Sequence, residues 1–116
     1  MLYQEDKNKF IDALNIIATD INKTAHDKGW YDKPREDGTI IALITSELSE
    51  ALEYLRHDNP PSDHIPEFSG LEEEFADVLI RILDTAKEKK LRLPEALLAK
   101  MKFNESRSHK HGGKKF

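Results

Sequence analysis

Two stretches decide the fold: Ile41-Ala-Leu-Ile44-Thr-Ser-Glu47-Leu48-Ser-Glu50-Ala51-Leu52-Glu53-Tyr54-Leu55-Arg56, and Leu71-Glu-Glu-Glu74-Phe75-Ala-Asp77-Val78-Leu79-Ile-Arg81-Ile82-Leu-Asp84-Thr-Ala86-Lys-Glu-Lys89. In the first, Ile41, Ile44, Leu48, Leu52 and Leu55 recur at steps of three or four. In the second, Leu71, Phe75, Val78, Ile82 and Ala86 do the same, with Leu79 beside Val78 on that face. That is the period of one helix face, so both stretches read as amphipathic helices. Each also carries two carboxylates three residues apart, Glu47 with Glu50 and Glu74 with Asp77. On a helix this spacing sets a pair on one side about a turn apart, where the two groups can share a ligand.

Working outward, Phe10, Leu14, Ile17, Ile21 and Ala25 predict a further helix over Gln4–Lys28, stopped at Gly29. Trp30–Gly38 contains Pro34, Asp37 and Gly38 and has neither helix nor strand period, so it reads as a loop, with Asp37 or Thr39 capping the next helix. Asp58–Gly70 holds Pro60, Pro61 and Pro66 and makes a connection long enough to reverse the chain. Ser69 followed by Glu72 has capping-box spacing and marks the clearest helix start. Leu93-Pro94 opens a shorter helix with Leu97, Leu98 and Met101 for packing. The expected fold is all-α: an antiparallel bundle of about four helices in a single domain over 1–116, ending in a basic tail at 108–116 without periodic signal.

The net charge of −4 is unevenly spread. Lys100, Lys102, Arg107, Lys110, Lys114 and Lys115 stand against Glu105 alone in the last seventeen residues, so the acidic body ends in a cationic segment. Such a segment can meet nucleic acid or fold back onto a phosphate ligand. Cysteine is absent, which excludes disulfides, thiolate metal sites and a cysteine nucleophile, and fits a reducing compartment. No apolar run is long enough for a signal peptide core or a membrane span, so the expected location is the cytoplasm.

At about 100° per residue, Glu47 and Glu50 fall beside the apolar stripe of their helix, as Glu74 and Asp77 do on theirs. Four carboxylates facing one cleft repel by on the order of 4 kcal/mol per close pair at 4 Å and an effective dielectric of 20, so something positive must offset them. Oxygen-only ligands suit a hard divalent cation, Mg²⁺ first and Mn²⁺ as a substitute, and such ions commonly share their coordination with substrate phosphates. The plainer reading is a solvated acidic face, since 34% of the residues are charged.

The ordered pair Glu47-Leu-Ser-Glu50 and Glu74-Phe-Ala-Asp77, followed by Lys100-Met-Lys-Phe-Asn104-Glu-Ser-Arg107 and the ending His111-Gly-Gly-Lys-Lys-Phe, resembles the small single-domain branch of the MazG-like all-α nucleoside triphosphate pyrophosphohydrolases. The resemblance implies that Glu47, Glu50, Glu74 and Asp77 bind Mg²⁺ and carry catalysis. It further implies that a metal-activated water attacks the α-phosphate of a nucleoside triphosphate, releasing pyrophosphate and the monophosphate. Lys100, Asn104 and Arg107 are then the expected phosphate and sugar contacts, with His111 behind them. Trp30 is a candidate to stack on the base. Arg81 either contacts phosphate or balances Glu74 and Asp77, Asp84 orients a ligand or faces solvent, and Lys114 closes over the triphosphate from the tail. His26, His57, His64 and His109 have no metal-ligand spacing and read as surface residues.

The expected partners are a nucleoside triphosphate and further copies of the chain, as a homodimer or a dimer-of-dimers tetramer that completes the bundle. Neither a membrane nor nucleic acid is the expected partner. Two other functions stay open: a phosphoribosyl-ATP pyrophosphohydrolase-like enzyme, and a non-catalytic helical module gripping nucleic acid through its basic tail. A carboxylate-bridged di-iron bundle is excluded, because no Glu-x-x-His occurs in the chain.

Overall fold

In the computed structural model, residues 1–107 are described, and they form four helices with no named strand. Helix α1 spans Gln4–Asp27, α2 Asp37–Arg56, α3 Gly70–Glu88 and α4 Leu93–Glu105. The tail at 108–116, with His111 and Lys114, lies outside the described residues. Among the described residues no helix is long and apolar enough to cross a membrane.

Local chemistry explains the boundaries. Gly29, at φ +82°, ends the turn after α1 in a left-handed conformation that costs glycine little. The α2 helix starts at Asp37, four residues before Ile41, so Glu36 holds the N-cap in place of the expected Asp37 or Thr39, with no side-chain cap bond. Ser69 and Glu72 form the full capping box: Ser69 Oγ accepts from the Glu72 amide and Glu72 accepts from the Ser69 amide. Pro94 occupies the first turn of α4, where a missing amide proton is harmless.

Helix α3 is the centre of the bundle, packed against α2 on one side and α1 on another, while α4 packs on α1. The α2–α3 pair is antiparallel: Tyr54 lies against Gly70, Arg81 bonds Glu47, and Lys89 pairs with Asp37. A Cβ at Gly70 would fall inside the van der Waals envelope of the Tyr54 ring, so only glycine lets the two helices approach this closely.

The connection between α2 and α3 is pinned throughout. Asp58 and Asn59 take left-handed backbone angles, which their residue types tolerate, and reverse the chain. Asn59 Oδ1 accepts from the Leu71 amide, the Gly70 amide donates to the Pro60 carbonyl, and the Ser62 amide donates to that of Phe68. Buried Glu73 accepts from Ser62 Oγ at 2.8 Å and holds His64 Nδ1 at 2.9 Å. That contact raises the His64 pKa and lowers that of Glu73.

One expectation holds only in part. Of the apolar stripes of α2 and α3, Ala86 is buried and Ile44, Leu71, Val78 and Ile82 are half-buried, whereas Leu48, Leu52 and Leu55 on α2, and Phe75 and Leu79 on α3, are each about half exposed. The buried apolar residues are mostly small, Ala18, Ala25, Ala51 and Ala86 with Leu83. Between α2 and α3 the chain instead buries Glu47 and Glu74. Small side chains at Ala51 and Gly70 draw the helices together along the carboxylate-bearing sides, which leaves the leucine-rich sides outward.

Candidate metal centre

Glu47 and Glu50 sit one turn apart on α2, and Glu74 projects from the first half of α3 towards them. One carboxylate oxygen from each of the three lies within 4.8 Å of those of the other two. On an octahedral Mg²⁺ with bonds of about 2.1 Å, ligand oxygens stand about 3.0 Å apart when adjacent and about 4.2 Å when opposite, so the trio closes inward to take such an ion.

Glu74 is 5% exposed, and its Oε2 is buried without a hydrogen-bond partner. An orphaned buried carboxylate oxygen is costly and is ordinarily removed by a partner, a proton or a metal. Burial, followed by a hydrogen bond to the Glu47 carboxylate and the negative charges of Glu50 and Glu47, pushes the Glu74 pKa up to about 8. Asp77, one turn further along α3 and half-buried, is also raised, by burial and then by Glu47. It is outside the group of three whose oxygens converge, although its charge is felt by Glu74.

The positive offset is internal. Arg81 donates through Nε to Glu47 Oε1 at 2.9 Å, both side chains being largely buried. Its guanidinium also rests 5.6 Å from the centre of the Trp30 ring, and Arg35 stands 5.5 Å from the same ring. Trp30 thus lies close to the trio by way of Arg81, with its ring engaged by cations. Glu50 and Glu74 themselves line a cavity of about 500 Å³, together with Tyr54, His57, Pro60 and His64.

Asp84 is neither solvated nor open to a ligand on all sides. At 4% exposure it accepts from Tyr31 Oη at 2.6 Å and from Asn22 Nδ2 at 2.9 Å, tying α3 to α1 and to the loop after it. Burial and Asp84 together raise the Tyr31 phenol above its usual range. Asn22 and His26 also meet Glu88, at 3.1 and 2.6 Å. His26, His57 and His64 each contact a glutamate, and none belongs to the carboxylate trio.

The remaining substrate candidates are not brought to this centre by the described contacts. Lys100, Asn104 and Arg107 are exposed, and α4 ends at Glu105, so Arg107 lies past the helix rather than on a continued face. Lys100 and Arg107 flank the Phe103 ring at 4.6 and 5.8 Å. Lys114 lies outside the described residues. The Asp84–Tyr31–Asn22 network and Arg35 escaped the sequence reading, since partners 53 and 62 positions apart leave no spacing to detect. Comparison with protein-family models, with curated proteins and with solved structures finds no match for this chain.

Proposed function

We propose that the chain is a Mg²⁺-dependent nucleoside triphosphate pyrophosphohydrolase, cleaving a ribo- or deoxyribonucleoside triphosphate to the monophosphate and pyrophosphate in the house-cleaning of nucleotide pools. The observation that carries this reading is the convergence of Glu47, Glu50 and Glu74, together with a buried oxygen of Glu74, Oε2, that has no partner. An oxygen-only donor set of three acids fits Mg²⁺, with Mn²⁺ as a substitute. Such an ion, when bound, supplies positive charge to a phosphoryl transition state and acidifies water. The residues of the chain do the rest: the trio holds the ion, Asp77 stands one turn away as the next carboxylate, and Arg81 keeps Glu47 oriented. The resemblance of the Glu-x-x-Glu and Glu-x-x-Asp pairs to the MazG-like enzymes supports the choice of reaction and suggests phosphate and sugar contacts for Lys100, Asn104 and Arg107; Trp30, Arg81 and Lys114 are further candidate contacts, whereas Asp84 is already held by Tyr31 and Asn22.

The outward apolar sides of α2 and α3 support a homodimer, or a tetramer built from dimers, in which these sides meet. The reaction is tested by measuring pyrophosphate release from a panel of ribo- and deoxyribonucleoside triphosphates with phosphoribosyl-ATP alongside. Release should need Mg²⁺ and fall by more than about 100-fold in Glu50→Gln and in Asp77→Asn, beyond the loss usual for residues that only support a ligand. Full activity in both variants refutes the site. Hydrolysis of phosphoribosyl-ATP alone moves the assignment to that enzyme class. Salt-dependent nucleic-acid binding with no hydrolysis replaces it with the binding module.

A further inference from the structure

The carboxylate trio is bordered by a pair of guanidinium groups that its own carboxylates do not use up. Arg81 reaches Glu47 from α3 through Nε alone. Arg35 comes from the loop before α2 and is half-buried. Both rest on Trp30, with Cζ 5.5 Å from the ring centre for Arg35 and 5.6 Å for Arg81, and both line one small cavity with Trp30, Tyr31 and Asp84. Among the described residues, no hydrogen bond or ion pair engages either Nη of Arg81 or any nitrogen of Arg35. Asp84, the other carboxylate beside them, is occupied by Tyr31 and Asn22.

Stacking on an aromatic face holds a guanidinium by its plane and leaves its N–H edge free. Two partly desolvated cations share one tryptophan and one cavity here beside two carboxylates, of which Glu47 takes only Nε of Arg81 and Asp84 is held by Tyr31 and Asn22, so the remaining N–H edges of both guanidinium groups are left to an added anion. The matching anion is a phosphate, whose oxygens take a planar fork two at a time, where a lysine would offer a point charge. The cavity between the two arginines is only about 10 Å³, about the room of one water, so the anion sits at its mouth and not inside it. Glu47 joins this mouth to the trio, because the same carboxylate that offers an oxygen to the metal group fixes Arg81 at Nε.

We propose that Arg35 and Arg81 form a two-guanidinium seat for one phosphate of the substrate's polyphosphate chain, with Trp30 as its backing and Glu47 as the residue that orients Arg81. The seat rests on the metal-dependent triphosphate reading above and adds Arg35 to its substrate contacts.

Trp30 is the only tryptophan, so its emission reports on this place alone. The full chain is titrated with inorganic pyrophosphate in the presence of Mn²⁺ while Trp30 fluorescence is followed, and Mn²⁺ binding is measured separately without pyrophosphate. Arg35→Gln should weaken pyrophosphate binding by about tenfold or more, the loss of one charge-assisted pair, and leave Mn²⁺ affinity unchanged. Arg35→Lys, which keeps the charge but not the fork, should recover only part of that loss and guards against a folding defect in the first variant. Pyrophosphate affinity within about twofold of wild type in both variants overturns the seat, even where the Trp30 emission maximum moves, because packing alone then explains Arg35. Failure of the wild type to bind Mn²⁺ at all overturns the metal centre instead; binding of Mn²⁺ without any pyrophosphate response overturns the seat alone.

Discussion

Replacing Glu74 by glutamine should stabilise the metal-free protein at alkaline pH while destroying its metal site. Burial and the carboxylates of Glu47 and Glu50 lift the folded-state pKa of Glu74 from 4.5 to about 8. In the unfolded chain the group ionises near 4.5, so between these values the folded state binds more protons than the unfolded one, and stability falls as pH rises. At about 1.4 kcal/mol for each pH unit, and with the group half ionised at the upper end, the loss approaches about 4 kcal/mol by pH 8, an upper figure because relaxation of the helices reduces it. Glutamine imitates the protonated acid and does not titrate. Urea unfolding of both proteins with a chelator, at one protein concentration, should give equal stabilities near pH 4.5 and a gap in favour of Glu74→Gln that widens up to about pH 8. Comparing the two cancels acids whose pKa is lowered, such as Glu73 and Glu88. Mn²⁺ at about 100 times its dissociation constant should raise the wild type alone, by about 2.7 kcal/mol. Stability curves that run parallel from pH 5 to about pH 8 refute the reasoning, since Glu74 would then ionise as freely folded as unfolded.

Two further outcomes follow from the packing. Gly70→Ala drives a methyl group into the Tyr54 ring and should cost about 1–3 kcal/mol in chemical unfolding, with Mn²⁺ affinity falling as α3 is displaced from Glu47 and Glu50. Leu52→Glu combined with Phe75→Glu puts charge on the outward sides of α2 and α3, and in sedimentation should convert the proposed homo-oligomer to a monomer that keeps its helical circular dichroism. Unchanged sedimentation would place the subunit contact elsewhere.

Much of the backbone was legible in the sequence. Steps of three and four located the first three helices and Leu93-Pro94 the start of the fourth, Gly29 marked the end of the first, and the Ser69–Glu72 spacing is realised as a two-way capping box. These signals are local, set by hydrogen bonding and side-chain direction within a turn or two. The carboxylate pairs were legible for the same reason, and Glu47, Glu50 and Glu74 do meet across α2 and α3. What periodicity does not encode is which surface covers a stripe: Leu48, Leu52, Phe75 and Leu79 repeat as buried residues do, but in this chain they face outward. Nor does it encode contacts over distance. Asp84 lies one heptad beyond Asp77, which suggested a ligand-facing acid, whereas Tyr31 and Asn22 make it a strut between α1 and α3. Lys100, Asn104 and Arg107 keep their spacing, but α4 ends before the last of them.

The pinned connection from His57 to Ser69 bears on how this protein can vary. Surface connections rich in proline ordinarily absorb insertions and deletions without harm. Here the chain is fixed at Asn59, Pro60 and Ser62 on one arm and at Phe68, Gly70 and Glu73 on the other. Adding or removing one residue in either arm would break these bonds and pull on the start of α3, where Gly70 lies against Tyr54 and Glu74 faces Glu47 and Glu50. Length changes are therefore tolerable only at the tip, around Glu67, and the stretch that looks least structured is the ruler that sets two acidic helices in register.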